Sequence, residues 1–330
     1  MARDGINPSR SRTTDYHPAR VTVAVLTHLP HQTGYFESRL DVTRMTIESI
    51  LANTGMPFDL WVFDNGSCAP VVDYLRGLRD EGRITQLILS SKNIGKPAAL
   101  QTIFKACQSE IIAYTDDDVF FLPGWLEEHV RIIDTYPNVG AVTGFYIRER
   151  MKNGIDSTLA FLDQPGVATE RGLLMPAIWE EEYRVNSGRS QERYDAEVAG
   201  LEDIRVTYRD VQAWVSAHHF QFVAPREVIL QALPQEWTGL LMGKMVEMDL
   251  TIDRLGYLRL CTGRQTVRLM GNLLDPEVLA LAERSGIQLQ SRSVKSSRPA
   301  SGLLNALYRL PFGKRVIHGL YNQLYKVVNS

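Results

Sequence analysis

Residues 111–121 read IIAYTDDDVFF, an apolar run, then Asp116, Asp117 and Asp118, then a second apolar run. A short run rich in aliphatic and aromatic residues, closed by polar turn signals, reads as a buried strand. The three carboxylates then lie at the C-terminal end of that strand, and open α/β sheets bind ligands in the crevice outside such ends. Three carboxylates a few ångströms apart repel one another unless a cation or hydrogen-bond donors offset them. A hard divalent ion, Mg²⁺ or Mn²⁺, is the cation that suits them, and it keeps coordination positions open for phosphate oxygens. The plain alternative is a solvated acidic turn capping a helix that starts near Pro123.

Working outward, the same alternation repeats. VTVAVLT (21–27), LWVFD (60–64), ITQLILS (84–90), EIIAYT (110–115) and NVGAVTG (138–144) read as strands, with helical patterns near 41–53, 69–80, 96–107 and 123–135 between them. Strands alternating with helices of this length form βαβ units around a parallel sheet. Residues 145–203 are polar and give little periodicity. WVSAHHFQFVA (214–224) reads as a strand, 226–232 and 240–254 as helices, and YLRLCT (257–262) as a strand returning to the sheet.

Two further strand ends carry polar signals. LWVFDNGS closes on Asp64-Asn65-Gly66-Ser67, a turn whose Asp can accept bonds from a base or ribose. SSKNIGKPAAL closes on Asn93, Gly95 and Lys96 and opens a helix whose N-terminus favours an anion. Each is weak alone, and Asp-Asn-Gly-Ser is ordinarily only a turn.

Taken in order, VAVLTH, ESILANT, VFDNGS, KNIGKPAAL, YTDDDVFFLPGWLEEH and VEMDLTIDRLGYLRL make the chain resemble the GT-A fold glycosyltransferases of family 2. The resemblance covers 21–144 well and 213–262 moderately. It implies an α/β fold with an open, mostly parallel sheet flanked by helices: a nucleotide-sugar-binding half (21–144) and an acceptor and catalytic-base half (145–272). A flexible arm (1–20) would precede it and a basic amphipathic extension (273–330) follow it.

The resemblance further implies a nucleotide-diphosphate sugar donor bound by Thr27, Asp64, Asn93, Gly95, Lys96, Asp116 and Asp117, with Asp118 and Asp116 holding the metal. The acceptor's proton would go to a carboxylate in VEMDL, with Glu247 ahead of Asp249, and direct attack would invert the anomeric centre. Both carboxylates also suit the wet side of an amphipathic helix. One departure stands out: where the family has a metal-binding His in a late His-x-Gly-Asn context, this chain reads Leu269-Met270-Gly271-Asn272. Leu cannot bind a cation. A catalytically silent GT-A scaffold that binds nucleotide or glycan is the alternative this departure favours. His218 and His219, adjacent in a strand-like run, read as structural, and Trp237 as either an acceptor-side ring or core. A phosphotransferase of the haloacid-dehalogenase type fits poorly, because its Asp-x-Asp follows the first strand, not the fourth.

Composition sets the outer bounds. The 330 residues carry a formal net charge of -2, with 22% charged residues, which argues against nucleic acid as a partner. Cys68, Cys107 and Cys261 are odd in number and far apart, so neither a disulfide framework nor a zinc site is expected, and a cytoplasmic setting fits. No apolar leader or membrane-length run is present. After Glu283 every charged residue is basic and apolar residues are interleaved with them, which points to contact with an anionic membrane at its inner face and to a glycan or lipid-linked acceptor. A helical cap with solvated charges is the alternative.

Overall fold

The structure, a computed structural model, describes residues 6–236 and 238–288. Trp237 and the basic tail from 289 onward, on which two of the expectations above fall, lie outside the described residues. The first half follows the sequence pattern closely: β1 (Val21–Thr27), α1 (Arg39–Asn53), β2 (Asp59–Asn65), α2 (Ala69–Asp80), β3 (Gln86–Ser90), α3 (Lys96–Ala106) and β4 (Ile111–Asp116). After the acidic turn come β5 (Val119–Phe121), α4 (Trp125–Thr135) and β6 (Val139–Thr143).

The middle region folds more than its sequence announces, as α5 (Asp156–Leu162), β7 (Val167–Gly172), α6 (Ala177–Asn186), α7 (Gln191–Val198), β8 (Asp203–Tyr208) and β9 (Val211–Val215). Its pattern is faint for a physical reason. β7 is an edge strand exposed along its four central residues, and α6 and α7 bury only Tyr183 and Tyr194, so neither period is written in apolar residues. The chain ends, as described, with β10 (Gln221–Pro225), α8 (Arg226–Ala232), α9 (Val246–Arg254), β11 (Leu258–Thr262), β12 (Val267–Leu269) and α10 (Pro276–Arg284).

Ten strands form one mixed sheet in the order β3-β2-β1-β4-β10-β6-β11-β9-β8-β7, and β5 pairs with β12 in a small second sheet. β3, β2, β1 and β4 run parallel, so their C-terminal ends share one edge. Side chains alternate between the faces. Ile111 and Ala113 of β4 join a core with α1, α2 and α4, whereas Ile112 and Tyr114 join one with α3, α8 and α9. Each fully buried aliphatic or aromatic side chain contributes about 1.5–3 kcal/mol, so two such layers hold the shared edge rigidly.

Two elements differ from the sequence reading. The run 214–224 is not one strand but two: Ser216 takes φ 99° after β9, and the chain crosses from the neighbour of β11 to a place between β4 and β6. The expected helix 240–254 begins only at Val246, because Gly243 takes φ 59° and Leu240, Leu241 and Met242 stay exposed in a loop. At the other end, residues before β1 are tied to the body: Tyr16 Oη and Ala19 N donate to Asp59 Oδ2 at 2.7 and 3.0 Å.

Candidate active site

The three adjacent carboxylates have three different environments. Asp117 points into the core, 5% exposed, and accepts from Thr27 Oγ1 at 2.5 Å, Thr43 Oγ1 at 2.9 Å and the Arg39 guanidinium. Asp116 is bridged by Lys96 Nζ at 2.7 and 2.8 Å and accepts from the Tyr114 hydroxyl. Asp118 shares Arg39 Nη1 at 3.2 Å through Oδ2, and its Oδ1 has no hydrogen-bond partner among the described residues.

Arg39 therefore clamps the turn, and its Nη1 also donates to the Gly271 carbonyl at 2.9 Å, tying the cluster to the segment after β12. Burial works against its charge, but Asp117 and Asp118 outweigh that and hold its pKa above the usual value. The Asp118 carboxyl is pushed up to about 6, first by loss of water and then by the Asp116 and Asp117 charges against the pull of Arg39. Its side chain is 36% exposed, so solvent screens part of that push.

The neighbouring strand ends are built by their glycines and amides. Gly66, at φ 80°, lies so close to the Lys92–Asn93 backbone that an added Cβ would stand 2.7 Å from the Lys92 carbonyl carbon. Asn65 Nδ2 donates to Asn93 Oδ1 at 3.0 Å, and Asn93 Oδ1 also accepts from Gly95 N at 2.9 Å, so the ends of β2 and β3 are laced together. Asp64 is buried. Its Oδ2 caps the turn through Ser67 N at 3.1 Å, while its buried Oδ1 has no partner among the described residues.

Lys96 is 6% exposed and sits 5.3 Å from the centre of the Tyr114 ring. The N-terminus of α3 is less open than its sequence suggests: Lys96 N donates to Leu241 O at 2.6 Å, and Pro97 has no N–H to offer. The positive charge at this turn is the ammonium rather than the helix end.

In the second half, Glu247 and Asp249 separate. Glu247, in the first turn of α9, is 49% exposed, with Arg254 at 3.9 Å as its only ion pair among the described residues. Asp249 is 4% exposed: Oδ2 accepts from His219 Nδ1 at 2.7 Å, and Oδ1 lies 3.2 Å from Arg259 Nη2. His218 is the structural one of the histidine pair, buried, bonded to the Phe145 carbonyl at 3.1 Å and stacked on Phe220 at 3.6 Å. Leu269 lies in β12 opposite Val119, one residue after Asp118.

Sequence reasoning missed Arg39, Thr43 and Tyr114. No local pattern marks them, since Arg39 and Thr43 reach the cluster across 78 and 74 residues of chain. Tyr114 carried a period-2 signal, two residues from Asp116 and on the same face.

The donor set fits a hard divalent ion only in part. Among the described residues no three His, Cys, Asp or Glu side chains stand together as a metal cage. Asp118 offers a free oxygen, while both Asp116 oxygens face Lys96. A diphosphate and water would complete the shell, as is usual for Mg²⁺ beside phosphates.

Residues 35–191 match the model of glycosyl transferase family 2. That span holds Asp64, Asn93, Gly95, Lys96 and Asp116 to Asp118, and leaves out Thr27, His219, Glu247 and Asp249. The resemblance read from the motifs is thereby shown, and with it the fold: a GT-A type α/β sheet flanked by helices. No curated protein matches.

Among solved structures, S. aureus TarS 1–349 with UDP-GlcNAc is similar at 15% identity over 37% of this chain and 33% of that one, TM-score 0.31. Mannosyltransferase PcManGT from Pyrobaculum calidifontis, with GDP-Man and Mn²⁺, is similar at 24% over 42% and 40%, TM-score 0.31. Glucosyl-3-phosphoglycerate synthase from Mycobacterium tuberculosis, with Mn²⁺, UDP and phosphoglyceric acid, is similar at 17% over 82% and 80%, TM-score 0.40. The chain spans 21 to 34% of the TarS chains it matches.

Proposed function

We propose that the chain is a nucleotide-sugar-dependent glycosyltransferase that moves a sugar from a nucleoside-diphosphate donor to an acceptor hydroxyl with inversion. One observation carries the reading: within the family match, an acidic turn with one free carboxylate oxygen stands beside a buried lysine at the C-terminal edge of four parallel strands. The relatives' donors, UDP-GlcNAc and GDP-Man, support the donor class.

In this reading Asp64 receives a donor group of the base or ribose on its unpartnered oxygen, and the Asn65–Asn93 lacing with Gly95 shapes the floor of the nucleotide site. Lys96 pairs with both oxygens of Asp116 and adds positive charge beside the diphosphate. Thr27, Thr43 and Arg39 act through Asp117, fixing the turn that presents Asp118. Asp118 would hold Mn²⁺ or Mg²⁺, which supplies Lewis acidity for the departing diphosphate. A base in the half of the chain that carries β10 and α9 takes the acceptor's proton. The basic tail suits a lipid-linked or cell-envelope acceptor at the inner membrane face, in glycolipid or exported polysaccharide synthesis.

The test is release of nucleoside diphosphate from a panel of UDP-, GDP- and dTDP-sugars, with Mn²⁺, Mg²⁺ or EDTA. Metal-dependent release from one donor that disappears in Asp118→Ala is expected. Nucleotide binding without sugar turnover under any condition would instead support the silent scaffold, the reading favoured by Leu269 and by the Arg39–Asp118 pair.

A further inference from the structure

Resting on the glycosyltransferase reading, we propose that His219, oriented by Asp249, is the proton acceptor for the attacking hydroxyl, and that Glu247 is not. The argument begins with register. Gln221 pairs with Thr115 across the β10–β4 ladder, and Asp116 N donates to Phe220 O at 2.9 Å. The next residue outward, His219, thus stands at the same sheet edge as the acidic turn.

The face is the same as well. Tyr114, which bonds Asp116 and lies under Lys96, shares one core with Leu100 of α3 and with Met248 and Ile252 of α9. Asp249 follows Met248, and the loop leading to α9 reaches α3 through the Leu241–Lys96 backbone bond. The Lys96–Asp116 and His219–Asp249 pairs therefore lie on elements that meet at one sheet edge.

The pair is arranged as a base. Arg259, 1% exposed, lies 3.2 Å from the second oxygen of Asp249, and a carboxylate in such an ion pair only accepts, so His219 Nδ1 carries the hydrogen. That leaves Nε2 with its lone pair. Nε2 has no partner among the described residues, and the His219 side chain is 19% exposed. In the transfer step the hydroxyl proton passes to Nε2 while its oxygen bonds the anomeric carbon. The bond from that carbon to the diphosphate breaks, and its electron pair leaves with the nucleotide. The imidazolium so formed is stabilised by the Asp249 carboxylate. Glu247 is 49% exposed and, among the described residues, has only Arg254 at 3.9 Å beside it.

Three measurements on the full chain test the assignment. Titration with UDP and GDP comes first. Nitrogen NMR of the imidazoles then reads the tautomer of His219, identified by its loss in His219→Asn, a variant whose amide can keep the bond to Asp249. The Nδ1–H form is expected in the wild type, with the preference lost in Asp249→Asn. Last, His219→Asn is expected to lower kcat about 10²–10⁴-fold, to leave nucleotide affinity unchanged and to remove the acid limb of the kcat–pH profile.

For the positioning residue Asp249, the Asn variant shifts that limb to lower pH, because the imidazolium loses its counter-charge. Among the described residues, Asp249 of α9 faces His219, Arg259 of β11 lies on the other oxygen of Asp249, and His218 is adjacent in the chain. Glu247→Gln keeps the limb. Absence of nucleotide binding overturns the glycosyltransferase reading and this assignment with it. An Nε2–H tautomer, turnover that survives His219→Asn within about threefold, or an acid limb lost only in Glu247→Gln overturns this assignment alone.

Discussion

Asp117 and Asp118 are neighbours in sequence and opposites in energy. Asp117 compensates a buried guanidinium, and removing one partner of such a pair strands the other charge at a cost of about 3–5 kcal/mol. Urea denaturation of Asp117→Asn is expected to show a loss of that order. Asp118, whose charge is disfavoured by burial and by the carboxylates beside it, behaves differently. Asp118→Asn at pH 8 is expected to unfold no more readily than the wild type while losing metal-dependent turnover. A large destabilisation of Asp118→Asn would mean that its bond to Arg39 is structural and that it is not the residue left free for a ligand.

At the scale of the element, the site depends on how strands stop. Gly95 takes φ 83° and ψ 152°, a conformation close to glycine-only, and an added Cβ would lie 3.3 Å from the Leu240 carbonyl. Gly95→Ala is expected to cost about 1–3 kcal/mol, read by chemical denaturation, and to weaken nucleotide binding by displacing Lys96. Unaltered affinity in a folded Gly95→Ala protein would show that the ammonium does not serve the nucleotide. The antiparallel insertion of β10 beside β4 matters as much, since it brings a residue more than a hundred positions away in sequence to the edge where Asp116 ends.

For the whole molecule, two buried histidines set the acid response. His129, fully buried, donates from Nδ1 to Trp125 O at 2.7 Å and receives Gln221 Nε2 at 3.3 Å, so it is held neutral. Burial pulls its pKa down to about 4, and burial likewise depresses His218. An unfolded histidine takes up a proton below about pH 6.5. Between that point and about 4 the unfolded chain binds more protons than the folded one, so stability is complete above pH 7 and falls on acidification, by up to about 3 kcal/mol for His129. Asp118, with its pKa raised to about 6, and Glu182, raised by burial, run the other way on acidification, but each is more exposed than the two histidines. The melting temperature is expected to drop between pH 7 and 5, and His129→Gln to show a shallower drop; a flat profile would place protons on these rings in the folded state. No helix among the described residues is long and apolar enough to cross a membrane. If the tail contacts lipid, deleting residues 290–330 reduces sedimentation with anionic vesicles, and equal binding by both forms sinks the membrane assignment.

The first half of the fold and the acidic edge are legible in the chain alone. Buried parallel strands must be apolar throughout and must end in turns, so IIAYT, LWVFD and the residues that follow them announce both the strand and the place where it meets solvent. Asp64, Asn93, Gly95, Lys96 and Asp116 to Asp118 were legible because each lies within a few residues of such an end. How the charges are shared emerges in the folded contacts. Arg39 to Asp117 spans 78 residues, and His219 to Asp249 spans 30. Contacts across such distances leave no periodic trace, because they depend on which strands become neighbours and not on what adjoins a residue in the chain.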